Sequence, residues 1–91
     1  MARINSMEYS KWLGNHTYVI PNPKVGDKVY VVVVTSMSSD ITIVEGIIEK
    51  VTSKTVHVKN ELEYKVFRLH WLNRYCAVQK SWVHVDLYIE G

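Results

Sequence analysis

The sequence predicts a mostly-β chain folded as one small barrel with a short helix at its N-terminus. Three observations carry this. The apolar set is dominated by β-branched residues, 15 Val and 7 Ile against 5 Leu and 2 Ala, and such side chains fit a pleated surface better than a helix. A length of 91 residues supplies one hydrophobic core and no second one. Short strand-like segments follow one another through tight turns, with too little chain for two packed sheets. Charged residues make up 22% and the formal net charge is +2, which excludes a disordered chain. The longest apolar run, Val29 to Val34, is far short of a membrane span.

Residues 1–23 read as a helix and an extended arm, and residues 24–91 as the barrel of the same single domain. A helix is expected over 5–14, with Asn5 as cap, Glu8 three positions on and Gly14 at the stop. Its apolar contacts would be Met7, Trp12 and Leu13. The arm His16–Ile20 is extended and ends at Pro21-Asn22-Pro23, which cannot continue a ladder. Gly26-Asp27 turns the chain into a strand from Lys28 to Ser36, with Val29, Val31 and Val33 on one face and Tyr30, Val32 and Val34 on the other. Both faces are apolar, so this strand needs cover on both sides. Residues 36–40 form a polar loop. The next strand, 41–52, loses its in/out phase after Gly46, where a bulge or bend is expected. In 55–60, Val56 and Val58 point inward while His57 and Lys59 point outward.

Segment 61–76 has two readings. Residues 64–69 alternate as a strand pairing back on 55–60, followed by an irregular stretch at 70–76. The alternative is an α+β chain with a helix at 61–75, because Leu62, Val66, Leu69, Leu72 and Cys76 recur at helical spacing behind an Asn60–Glu63 capping pair. The last strand is unambiguous, with Val83, Val85, Leu87 and Ile89 inward.

The stretches VGDKVYVV, IVEGIIEKV and TVHVKNELEYKV resemble SH3-like small β-barrels of the KOW and Tudor type, and are similar to small barrel proteins encoded by phages. The resemblance covers residues 24–69. It implies a binding module rather than an enzyme, and its KOW-like part implies a nucleic-acid ligand. The expectation for the barrel of about five strands is a non-enzymatic module that binds a protein partner, as an interaction or inhibitor/accessory protein, with nucleic acid as the alternative.

Two surfaces are candidates for that partner. Trp82, His84, Asp86 and Tyr88 share the outward face of the last strand and would form a protein contact, since Trp and Tyr dominate interface energetics. The competing reading has the N-terminal helix, with Tyr9 and Trp12, covering this face. The second surface is 64–81, which holds no acid. Its Lys65, Arg68, Arg74 and Lys80 interleave with Trp71 and Tyr75, as phosphates and stacked bases of a nucleic acid require. Against it stands the reading of the aromatics as core and the charges as a solvated edge.

No catalytic or metal site is expected. The His and Cys spacing matches no ligand motif, and Cys76 lacks an activating neighbour in the sequence. No cofactor is called for. A lone cysteine, no secretory apolar segment and no lipidation signal point to a cytoplasmic protein without a membrane partner.

Overall fold

A computed structural model describes residues 2–37 and 40–91, so Ser38 and Ser39 of the expected polar loop lie outside the described residues. The elements are β1 (Ala2–Ile4), α1 (Ser6–Leu13), β2 (His16–Thr17), β3 (Lys28–Thr35), β4 (Ile41–Val51), β5 (Thr55–Lys59), β6 (Val66–Leu69), β7 (Tyr75–Lys80) and β8 (Val83–Glu90). From β3 to β8 each strand pairs antiparallel with the next. β8 then returns to β3, which closes a six-stranded barrel. Closure leaves these strands no free edge to template pairing with another chain. β1 adds to the first half of β4, and β2 to the end of β8.

The chain is thus mostly β with one short helix, as the sequence predicts. No helix forms at 61–75 among the described residues. The barrel has six strands where about five were expected; the added one is β7, which begins in the last two residues of the stretch expected to be irregular (70–76) and runs on to Lys80. Asn60 does not cap a helix. It builds the β5–β6 turn, its Nδ2 donating to the carbonyls of Val58 (3.2 Å) and Tyr64 (2.9 Å) and its Oδ1 accepting from the Leu62 N–H (2.7 Å). The apparent helical period dissolves because Val66, Leu69 and Leu72 face solvent, whereas Phe67 and Tyr75 point into the barrel.

Val29, Val31, Ile48, Val56, Val58, Phe67, Val85 and Leu87 fill the interior, all essentially inaccessible to solvent. Cross-strand partners lie on the same side of the sheet, so Val44 opposite Val31 and Gly46 opposite Val29 also face inward. Two bulges then reset the phase. The register between β4 and β5 shifts between Ile48 and Lys50, so Ile48 and Val51 both face in although they are three residues apart. The same shift between Cys76 and Val78 turns both Tyr75 and Val78 inward. The bulge expected at Gly46 therefore lies at Glu49. Gly46 has another role: a Cβ there would sit 2.5 Å from Val58 Cγ1 and 3.1 Å from the Lys59 carbonyl oxygen. Only glycine permits β5 to approach this closely.

Outside the barrel a second apolar layer joins Tyr30 and Val32 of β3, Ile41 and Ile43 of β4 and Tyr88 of β8 to Tyr9, Trp12 and Leu13 of α1. The helix starts as expected, with the Asn5 carboxamide accepting from the Glu8 N–H at 2.9 Å. Met7 is not one of its contacts: it is exposed, and Tyr9 packs instead. The extended arm is shorter than expected, pairing only at His16 and Thr17 before Val19 bridges to Arg74.

Two substitutions test this packing. Phe67→Ala should cost about 3–5 kcal/mol of unfolding free energy through the cavity it leaves. Gly46→Ala should cost about 1–3 kcal/mol through overpacking against Val58. Urea titrations read both; an unchanged midpoint for either would contradict the interior assigned here.

Candidate functional site

The barrel wall has two unlike sides. On the first, α1 and the arm close over β3 and β8 with stacked rings. Trp12 lies flat on His16, with centroids 3.7 Å apart and planes at 7°, and both rings meet Tyr30 edge-on. His16 Nδ1 lies 2.7 Å from the Trp12 carbonyl oxygen, which fixes the imidazole. Trp12 also meets Tyr88 edge-on, and the Tyr9 and Tyr88 hydroxyls are 3.2 Å apart. Beside them Asp86 is buried. The Cys76 thiol donates to its Oδ1 at 2.8 Å and the Arg74 guanidinium at 3.3 Å, while Arg74 also lies over the Tyr18 ring.

This arrangement settles the chemistry of the lone cysteine. Burial and the adjacent Asp86 carboxylate push the Cys76 thiol up to about 12. It is a proton donor to Asp86, and the thiolate a nucleophile needs is disfavoured. Burial likewise raises Tyr9 and Tyr88 above the usual tyrosine value. Burial alone opposes the charge on Arg74, but Asp86 outweighs it and holds the guanidinium above its ordinary value.

The alternation of β8 is as read from the sequence, but the expected solvent-facing row is corrected at two of its four positions. Tyr88 is buried under α1, and Asp86 is enclosed by Arg74 and Cys76. His84 is half-buried. Trp82, in the β7–β8 turn, stays 54% exposed, with Lys80 Nζ 5.4 Å from its ring centroid. The set drawn from 64–81 is corrected at two positions as well. Tyr75 is a core residue, and Arg74 is committed to Asp86. Lys65, Arg68, Trp71 and Lys80 remain exposed, with Lys65 Nζ donating to the Asn60 carbonyl.

The second side of the wall, the outer face of β5, β6 and the end of β4, has no covering element among the described residues. The register assembles its residues: Lys50 stands opposite His57 and His57 opposite Val66, while Thr55 stands opposite Arg68 and Lys59 opposite Ile47. Neighbouring strands are about 4.8 Å apart, so Lys50, His57, Lys59 and Arg68 form one patch. Glu49 in the bulge and Glu61 and Glu63 in the β5–β6 turn flank it. Residues 50–80 carry seven basic and two acidic side chains, a net of +5, whereas the whole chain carries +2. The rest is therefore net negative, and the positive charge is concentrated on β4's end, β5, β6 and β7. A cleft of about 550 Å³ lined by Lys28, Glu45, Ile47, Lys59 and Asn60 adjoins this face. Sequence reading placed His57 and Lys59 outward and Arg68 nearby. The 55–60 to 64–69 pairing it expected would have joined them, but Lys50 required the bulge at Glu49.

Among the described residues no three His, Cys, Asp or Glu side chains gather as metal ligands, and no helix is long and apolar enough to cross a membrane. Comparison with protein-family models, curated proteins and solved structures finds no match. By its fold the chain is a small closed antiparallel β-barrel.

The Cys76 assignment predicts an alkaline weakness. The folded thiol holds its proton more tightly than an unfolded one, whose usual value is 9.0, so its contribution to stability is complete below that value and is lost as pH rises toward 12. Tyr9 and Tyr88 act in the same direction. Urea midpoints should fall progressively above about pH 9, and less steeply in Cys76→Ser, which keeps a donor for Asp86. Identical pH profiles for the two proteins would contradict the assignment.

Proposed function

We propose that the chain is a non-enzymatic barrel module that binds nucleic acid through the outer face of β4's end, β5 and β6. The observation that carries the reading is the cross-strand patch of Lys50, His57, Lys59 and Arg68 on the uncovered side, within a segment of net +5. Cations on a sheet face neutralise phosphates and release condensed counterions, the main source of sequence-independent affinity for nucleic acids. The resemblance of residues 24–69 to KOW and Tudor barrels supports the same reading. So does the loss of half the protein-contact row to burial, which weakens the case for β8 as the main contact face. A cytoplasmic location fits the reduced, buried Cys76.

A protein partner docking on Trp82 and His84 is the second reading, carried by the exposure of the Trp82 indole at the β7–β8 turn. In that case Trp82→Ala would abolish partner capture while leaving oligonucleotide affinity unchanged.

Titration of labelled oligonucleotides across a salt series tests the first reading. Affinity should fall with salt by about 0.7–0.9 log per log of salt for each phosphate contact. Replacing Lys50, Lys59 and Arg68 together with Gln should flatten the slope by about 2–3. Absence of binding to single and double strands at low salt would overturn the proposal.

A further inference from the structure

The β6–β7 connection departs from ordinary turn chemistry. Leu72 and Asn73 both have positive φ, 53° and 60°, and the Arg74 N–H donates to the Trp71 carbonyl at 3.1 Å. This is the backbone of a tight hairpin turn that usually takes Asn and Gly, and a leucine there is strained. The turn is held from both sides: His70 N–H donates to the Arg74 carbonyl at 2.7 Å, and Ile20 N–H to the Asn73 carbonyl at 2.9 Å. The result is a fixed tip carrying Trp71 at 59% exposure and Leu72 at 66%. Neither side chain belongs to the core clusters. A strained backbone clamped by surrounding bonds, with a large aromatic ring left in solvent, marks a functional tip.

Trp71 follows Arg68 by three residues, so its backbone stands within about 10 Å of Arg68, at one end of the basic patch. Resting on the nucleic-acid reading above, we propose that the ligand is single-stranded, and that Trp71 is the platform on which an unpaired base stacks while Lys50, Lys59 and Arg68 hold its backbone. An exposed indole on a rigid turn offers a π-face to any unpaired base, at little entropic cost because the backbone is already fixed. A duplex keeps its base faces stacked and presents only phosphates to the same patch. The cations extend from the tip along one sheet face and do not ring it, which suits an extended strand better than a bilayer plane.

The experiment uses the full chain and measures its affinity for an oligothymidine of about 12 nucleotides, a duplex of equal length and phosphatidylglycerol vesicles. Variants are Trp71→Ala, Trp71→Phe and Leu72→Gly, with far-ultraviolet circular dichroism confirming that each folds. The single strand should bind at least about tenfold more tightly than the duplex. Trp71→Ala should lose about tenfold or more on the single strand and little on the duplex, and Trp71→Phe should restore most of the loss. Leu72→Gly, which accepts the positive φ, should retain single-strand affinity. Equal losses on duplex and single strand would mean a wedge inserted between base pairs, and would overturn the inference. So would an unchanged Trp71→Ala, or vesicle binding that depends on Leu72. Nucleic-acid binding that is independent of Trp71 would sink this inference alone, whereas absence of any oligonucleotide binding would remove the underlying reading too.

Discussion

Strand β3 carries Val29, Val31 and Val33 on one face and Tyr30, Val32 and Val34 on the other, and both sets need cover. That double demand organises the molecule. The inner set is met by closing the meander, with β8 returning to pair along β3 from Tyr30 to Thr35. The outer set is met by the helix and arm before β3, whose Tyr9, Trp12, Leu13 and His16 rest on the same strand pair. An eight-residue helix is marginal in isolation, so α1 owes its stability to this docking far more than to propensity.

One consequence is asymmetry. Among the described residues there is one helix, and the β3–β8 side takes it. The outer face of β5 and β6 is left to solvent, and it is the side where the register places Lys50, His57, Lys59 and Arg68. The same cover explains why Asp86 is tolerated inside the structure. A buried carboxylate without partners would be costly, but Cys76 of β7 and Arg74 just before it both reach its Oδ1. Arg74 is thereby committed to Asp86 and becomes structural.

Much of the fold was legible in the sequence, because the strands that matter most obey a strict period of two. β3 apolar on both faces, the inward Val83, Val85, Leu87 and Ile89 of β8, the alternation of Val56 and Val58, and the Asn5 cap all follow from local pattern. What was hidden depends on closure. Bulges at Glu49 and Ala77 arise where a strand must bend around the barrel, and no residue type announces them. The left-handed Leu72 carries no turn signal, so β6 and β7 could not be read as a hairpin. The burial of Tyr88 follows the competing reading, in which the helix with Tyr9 and Trp12 covers the β8 face, and local pattern alone could not choose between the two; the pairing of Asp86 with Cys76 and Arg74 required the β7–β8 register. The basic patch was half legible: His57 and Lys59 of β5 were assigned outward and Arg68 was singled out in the basic stretch, but their union required the register.

The central claim is that one side of the barrel wall is sealed by the N-terminal helix while the other, uncovered among the described residues, is the proposed contact for nucleic acid. Backbone amide shift mapping by NMR, recorded as an oligothymidine is added, tests this most directly. The account predicts perturbations confined to the end of β4, β5, β6 and the turn at 70–73, with Tyr30, Asp86 and Tyr88 unmoved. Perturbations centred on α1, β3 and β8, or none anywhere at saturating oligonucleotide, would contradict it.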